Sequence, residues 1–126
     1  PVVEPESTLT GLNDPDADDA FEAYRNKEYI EAFESFMEVD SLIPFKHFYI
    51  GICAMEEENY DMAALYLESL EPRSTLYYEP SLWYLGLTEL KRNNTTKAKV
   101  YMSQLLDQFP ESERAEDARE ILEMEW

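Results

Sequence analysis

The feature that most constrains the fold is the stretch 81–110, in which two segments with apolar residues at helical spacing flank the polar turn 92–95. Each segment is too long for a β-strand, and its apolar residues recur every three or four positions, so they share one face of a helix. Asn93 suits the left-handed conformation that ends a helix, and Asn94 or Thr95 can cap the next one. The stretch therefore predicts a helical hairpin.

Small residues within the predicted helices indicate that the hairpin is repeated. Gly86 lets two helix axes approach closely, and Gly51 and Ala20 occupy the corresponding upstream positions, at successive offsets of 35 and 31 residues. Each is followed by a polar turn in the same register, reading Asn-Lys-Glu-Tyr, Glu-Asn-Tyr and Asn-Thr-Thr in chain order. One such match arises easily among common residues, whereas three in register do not. The sequence therefore predicts three hairpins of one kind.

This pattern resembles the tetratricopeptide repeat (TPR), a helical hairpin of roughly 34 residues with the signature W-x2-L-G-x2-Y…A-x3-F…P. Trp83 lies one place after the signature tryptophan, and Glu89 stands where the signature has tyrosine. The positions of the third hairpin that fit are Leu82, Leu85, Gly86, Ala98, Met102, Leu105 and Pro110. The resemblance implies an all-α fold, a short right-handed superhelix of three TPR-like hairpins closed by a C-terminal capping helix.

The turns and prolines set the expected boundaries of these units. The hairpins are predicted at about 14–43, 44–78 and 79–110, with the capping helix at about 111–125. Within the first two hairpins we expect a helix that ends at Arg25, then helices at 29–40, 45–58 and 60–71, followed by a turn over 72–80.

Residues 1–13 are rich in Pro, Glu, Ser and Thr and have no sustained period, which is typical of a flexible linker or stalk. We therefore expect one domain, residues 14–126. The chain begins with Pro1, which we interpret as a fragment or a processed form. The stalk-like start is similar to small extracytoplasmic TPR domains of membrane-anchored bacterial proteins. That resemblance favours a periplasmic or extracytoplasmic location and leaves a cytoplasmic one open.

The acidic residues that open the first helix have an alternative interpretation. Asp14, Asp16 and Asp18 have the spacing that begins a calcium-binding EF-hand loop. However, Asp19 replaces the glycine that this loop requires at its sixth position, and Arg25 replaces the bidentate glutamate at its twelfth. We interpret the acids as favourable partners of the helix dipole.

The net charge of −18, with a pI of about 4.2, is far from that of an ordinary domain. Such a surface repels phosphate backbones and anionic headgroups, so we expect neither nucleic-acid binding nor direct binding to a membrane surface. A partner surface should instead carry a basic rim.

Few residues could carry chemistry. His47 and Cys53 point in different directions on one helix, so they cannot form a nucleophile–base pair, and we expect both to be packed. The sequence has one histidine, no glycine-rich phosphate loop and neither a G-x-S-x-G nor an H-E-x-x-H motif. We therefore predict a non-enzymatic protein with no cofactor and no metal site.

The resemblance implies a binding surface on the first helix of each hairpin, which lines the concave side of TPR arrays. The residues of this sequence at the corresponding positions are apolar. A helix that is apolar nearly all round must be covered by another part of the chain or by a partner. The predicted partner-binding residues are Phe21, Tyr24, Phe45, Phe48, Ile52, Met55, Trp83, Leu87 and Leu90. We expect them to bind an apolar peptide or helix of a protein partner, as in a scaffold module. Two alternatives are a homodimer interface for self-assembly and an internal core.

Overall fold

The structure is a computed structural model, and it describes residues 15–39, 44–70 and 75–124. These ranges are helical, with no strand among them, which confirms the predicted all-α repeat fold. The linker predicted for residues 1–13 lies outside them. The helices are α1 Pro15–Arg25, α2 Tyr29–Glu38, α3 Pro44–Glu56, α4 Tyr60–Glu68, α5 Thr75–Lys91, α6 Thr95–Gln108 and α7 Ala115–Glu123.

Each helix packs against the next one along the chain, so that α1–α2, α3–α4 and α5–α6 form three hairpins and α7 packs on α6. The first helices α3 and α5 also contact each other directly. No helix in the described ranges has the length and apolar character needed to cross a membrane.

The three hairpins turn in the same way. Lys27, Glu58 and Asn93 have φ values of 62°, 61° and 61°, and they are separated by the same 31 and 35 residues as the small residues Ala20, Gly51 and Gly86. In each turn the following amide donates back to the last turn of the first helix, as from Asn94 N to Glu89 O at 2.8 Å. This is the Schellman-type ending of a helix, which satisfies carbonyls that the helix leaves unpaired.

In two of the hairpins, an asparagine caps the N-terminus of the second helix. Asn59 Oδ1 accepts a hydrogen bond from Met62 N at 3.3 Å, and Asn94 Oδ1 accepts one from Lys97 N at 3.2 Å. Side-chain oxygens at this position replace a missing backbone acceptor. Of the two residues predicted as possible caps in the third hairpin, Asn94 is the one observed.

Glycine allows the helices of the second and third hairpins to approach closely. A β-carbon at Gly51 would lie 2.7 Å from Leu67 Cγ, and one at Gly86 would collide with the thioether of Met102. Ala20, the equivalent residue of the first hairpin, is completely buried. The small residues therefore act as predicted, as points of contact between paired helices.

Several predicted boundaries were wrong. Helix α4, predicted at 60–71, ends at Glu68 with Ser69 as its C-cap. Helix α5 begins at Thr75, so 75–80 are helical although a turn was predicted there. Pro80 is tolerated because it removes only one backbone hydrogen bond, close to the helix start. Helix α3 ends at Glu56 and not at Glu58, because Glu58 adopts the left-handed conformation of the turn.

Candidate protein-interaction surface

The core is built around the ring of Tyr49, which is completely buried in α3. The centroids of five other rings lie 5.0 to 6.0 Å from it, in mostly edge-to-face arrangements. These rings belong to Phe21, Tyr24, Phe36, Phe48 and Tyr77. Such geometry adds to the burial energy of each ring. One aromatic cluster therefore joins α1, α2, α3 and α5.

Four of the predicted partner-binding residues lie inside this core. Phe21 is 2% exposed, Tyr24 9%, Phe48 0% and Ile52 1%. A partner cannot contact such side chains unless the helices move apart. For these four positions the structure differs from the open groove that we expected, and agrees with the alternative of an internal core.

The early start of α5 explains part of this difference. Its first turns place Tyr77 against Phe48, with ring centroids 5.2 Å apart, and Tyr84 follows on the same helix at 6.1 Å. Tyr77 was predicted to lie in a turn, so its packing over Phe48 was not predicted. Burial raises the pKa of both Tyr77 and Tyr84, which is consistent with their position in the core.

The other four described residues of the predicted surface are half-buried. Met55 lies on α3, and Trp83, Leu87 and Leu90 lie on α5 at positions i, i+4 and i+7, on one face of that helix. Met55, Trp83 and Leu87 all pack against the edge of the aromatic core. Phe45 belongs to α3, but its side chain lies outside the described residues. The accessible part of the predicted surface is therefore centred on Trp83.

The segment between α6 and α7 is fixed to α5 by polar contacts that the sequence analysis missed. Ser112 Oγ donates to Glu79 Oε1 at 2.7 Å, and Arg114 Nη1 lies 3.4 Å from the same oxygen. The Arg114 guanidinium also lies over the ring of Tyr84, 5.9 Å from its centroid. Because Arg114 is nearly buried, it helps to fix the start of the capping helix.

A charged network connects the second and third hairpins. Glu89 is buried, and its carboxylate lies 3.2 Å from Arg92 Nη1 and 3.7 Å from Lys97 Nζ. Arg92 also pairs with Asp61 at 3.2 Å, and Lys97 with Glu68 at 3.0 Å. The residue that departs from the TPR signature, Glu89, is therefore the buried centre of an ion-pair network.

His47 and Cys53 are packed, as predicted. The Ser69 hydroxyl donates to Tyr66 O at 2.6 Å, so it accepts from His47 Nδ1 at 2.7 Å, and the neutral ring carries its proton on Nδ1. Burial, together with Lys46, lowers the pKa of His47. Burial raises the pKa of the Cys53 thiol to about 12, with Glu56 and Glu57 adding to the effect. The Cys53 thiol is therefore protonated near neutral pH, and the reactive thiolate is scarce.

The geometry defines a helical-repeat protein made of similar hairpins. Residues 81–112, which include all of α6 and most of α5, match the family model described as "Tetratricopeptide repeat". The third hairpin is therefore similar to a tetratricopeptide repeat. No curated protein matches the chain. Such repeats generally mediate protein–protein interaction or scaffolding, and the family is typically non-catalytic.

Proposed function

We propose that this chain is a non-catalytic interaction module that binds an apolar peptide or helix of a partner protein on the surface formed by Met55, Trp83, Leu87 and Leu90. We call these four residues the Trp83 surface. The observation that carries the proposal is that a tryptophan remains half-buried on a first helix of a TPR hairpin, where its neighbours at helical spacing are also apolar. Tryptophan is among the residues that most often dominate binding energy at protein interfaces.

The charge of the molecule supports a partner with a basic rim around its apolar contact. The chain carries 28 acidic and 10 basic residues, so an approaching basic surface is attracted over the range of the Debye length. Association should therefore slow as salt is added, because screening weakens the attraction.

Two variants test the proposal. Trp83→Ala should weaken partner binding by more than about 2 kcal/mol, since aromatic anchors contribute most of the energy of such interfaces. Leu65→Ala is the matched control, because Leu65 is an exposed apolar residue of α4, at 66% exposure, outside the Trp83 surface. A partner captured from the native host should be retained by wild type and Leu65→Ala and lost with Trp83→Ala. Equal loss with both variants would contradict the Trp83 surface.

Folding stability must be measured on the same variants. Phe48→Ala should cost roughly 3–5 kcal/mol of unfolding free energy, as expected for a fully buried aromatic residue. Trp83→Ala should cost less, because its ring is only half-buried. If Trp83→Ala destabilises the fold as much as Phe48→Ala does, Trp83 is a core residue and the proposal fails.

The alternative is a homodimer that buries the same surface. Light scattering coupled to size-exclusion chromatography distinguishes the homodimer from a module that binds a separate partner. A wild-type dimer that dissociates in Trp83→Ala supports self-assembly. A monomeric wild-type protein supports a separate partner.

A further inference from the structure

A second concave site lies between α4, α5 and α6. It is a cleft of about 400 Å³, within the size range of ligand sites in proteins. Its floor is apolar and includes Leu70, Leu82 and Leu85. On α5 the cleft residues Tyr78, Ser81, Leu82 and Leu85 lie on roughly the opposite side of the helix from Trp83, Leu87 and Leu90, given about 100° per residue. The cleft is therefore separate from the Trp83 surface.

The rim of the cleft carries hydrogen-bond acceptors with spare capacity. Lys97 Nζ at 3.0 Å and the Tyr101 hydroxyl at 3.1 Å both donate to Glu68 Oε1. The other carboxylate oxygen, Glu68 Oε2, forms no hydrogen bond with the described residues, and the same holds for the side-chain amide of Gln104. An incoming donor would find both groups available.

The charges around the cleft favour a cationic ligand. Its charged lining residues are one carboxylate, Glu68, and one cation, Lys97. The ion-pair network that continues from them joins three carboxylates, Asp61, Glu68 and Glu89, to two cations, Arg92 and Lys97. This group therefore keeps one negative charge, on a chain whose net charge is −18. An anionic ligand would be repelled by the molecule as a whole, whereas a cation would balance the group.

The aromatic lining of the cleft favours a guanidinium over an ammonium. The rings of Tyr78 and Tyr101 are both half-buried and both line the cleft. A guanidinium stacks on aromatic faces and directs several planar donors at separate acceptors, whereas an ammonium is a strongly hydrated point charge. The aliphatic part of an arginine side chain can lie on leucines while its head group reaches the rim.

From these features we propose that the cleft between α4, α5 and α6 binds an arginine side chain presented by a basic segment of a partner protein. The guanidinium donates to Glu68 Oε2 and Gln104 and stacks on the tyrosine rings, and the aliphatic part of the side chain packs on the leucine floor. The proposal goes beyond the Trp83 surface and does not depend on it.

The probe for the test is Nα-acetyl-arginine amide, titrated into the ¹⁵N-labelled chain and followed by NMR. We expect saturable shifts of amides in α4, α5 and α6 that surround the cleft. Nα-acetyl-citrulline amide, which has nearly the same shape without the charge, should bind at least tenfold more weakly. Nα-acetyl-leucine amide tests for a purely apolar pocket. Binding of the citrulline or the leucine probe as tight as that of the arginine probe, or no saturable shift with the arginine probe, overturns the proposal.

Two variants localise the effect. Glu68→Gln should weaken arginine binding at least fivefold, and Glu116→Gln, an equal charge change at an exposed residue of α7, should not. Because Glu68→Gln also loses a partner of Lys97, a second variant is needed. Gln104→Lys places a cation on the rim at a residue with no hydrogen bond to the described part of the chain, and should abolish binding. Its matched control is Gln108→Lys at the exposed end of α6.

The same titration separates this site from the proposed function. Trp83→Ala should bind the arginine probe within twofold of wild type, whatever its effect on partner capture. If Gln104→Lys binds the arginine probe as well as wild type does, the cleft is not the site, and the Trp83 surface is unaffected by that result.

Discussion

Gly51 and Gly86 occupy equivalent positions in two hairpins but face different neighbours. A β-carbon at Gly51 would meet Leu67 Cγ and Cδ2 at 2.7 and 2.8 Å, and a branched leucine close to its own backbone has little room to move. A β-carbon at Gly86 would meet the flexible thioether end of Met102. The same substitution should therefore have different consequences at the two sites.

We predict that Gly51→Ala lowers the free energy of unfolding by about 1–3 kcal/mol, the usual cost of overpacking. Gly86→Ala should stay within about 1 kcal/mol of wild type, because the gain in helix propensity offsets the displacement of Met102. Urea unfolding followed by circular dichroism measures both. A larger loss for Gly86→Ala than for Gly51→Ala would contradict this assignment of the contacts.

Cys53 provides a probe of local opening. Its thiol is completely buried, and burial raises its pKa to about 12, so the reactive thiolate is scarce near neutral pH. We predict that alkylation of the native chain by iodoacetamide is at least tenfold slower than that of the urea-unfolded chain. Comparable rates in the two states would mean that α3 opens readily and that the buried cluster around Tyr49 is not stable.

At the scale of the elements, the hairpins could be predicted because the information for them is local. A small residue, a left-handed turn position and an asparagine cap lie within a few residues of one another, and each has a direct physical reason. The burial of Phe48 could not be predicted in this way, because it depends on Tyr77, 29 residues away in a segment whose prolines favour a turn. Helix α5 overrides that local signal because its first turns pack against the aromatic core.

The ion-pair network at Glu89 gives a prediction for how two hairpins are held together. Glu89→Gln should lower the free energy of unfolding by about 1–3 kcal/mol, since a buried acceptor of two cations loses its charge. Arg92 and Lys97 keep their second partners, Asp61 and Glu68, which limits the loss. Glu116→Gln on α7 is the control, with an expected change within about 0.5 kcal/mol.

A double-mutant cycle of Glu89→Gln with Lys97→Met would measure the coupling within this network. A neutral or stabilising effect of Glu89→Gln would show that the desolvation free energy of the buried carboxylate exceeds the stabilisation from its ion pairs, as found for some buried ion pairs.

At the scale of the whole molecule, 28 acidic residues against 10 basic ones leave a net charge of −18, so most carboxylates repel one another without a compensating cation. At the start of α2, a side-chain hydrogen bond to Glu28, together with the negative charge of that residue, raises the pKa of Glu31. A carboxyl whose folded pKa is raised favours the folded state at low pH, below its unfolded pKa. That benefit is lost as the pH rises through the raised pKa.

We therefore predict that added sodium chloride raises the melting temperature. At about 0.1 M salt the Debye length is about 10 Å, so repulsion between separated surface carboxylates is largely screened. A gain of about 1 kcal/mol corresponds to roughly 4 °C for a domain of this size.

Glu31→Gln should stabilise the chain at low salt, and its effect should shrink as salt is added. Glu68→Gln, which removes the partner of Lys97 and Tyr101, should instead destabilise it. Both measurements use thermal unfolding followed by circular dichroism. A melting temperature that falls with salt would show that local ion pairs outweigh the repulsion of the unpaired acids, and would contradict the expectation drawn from net charge.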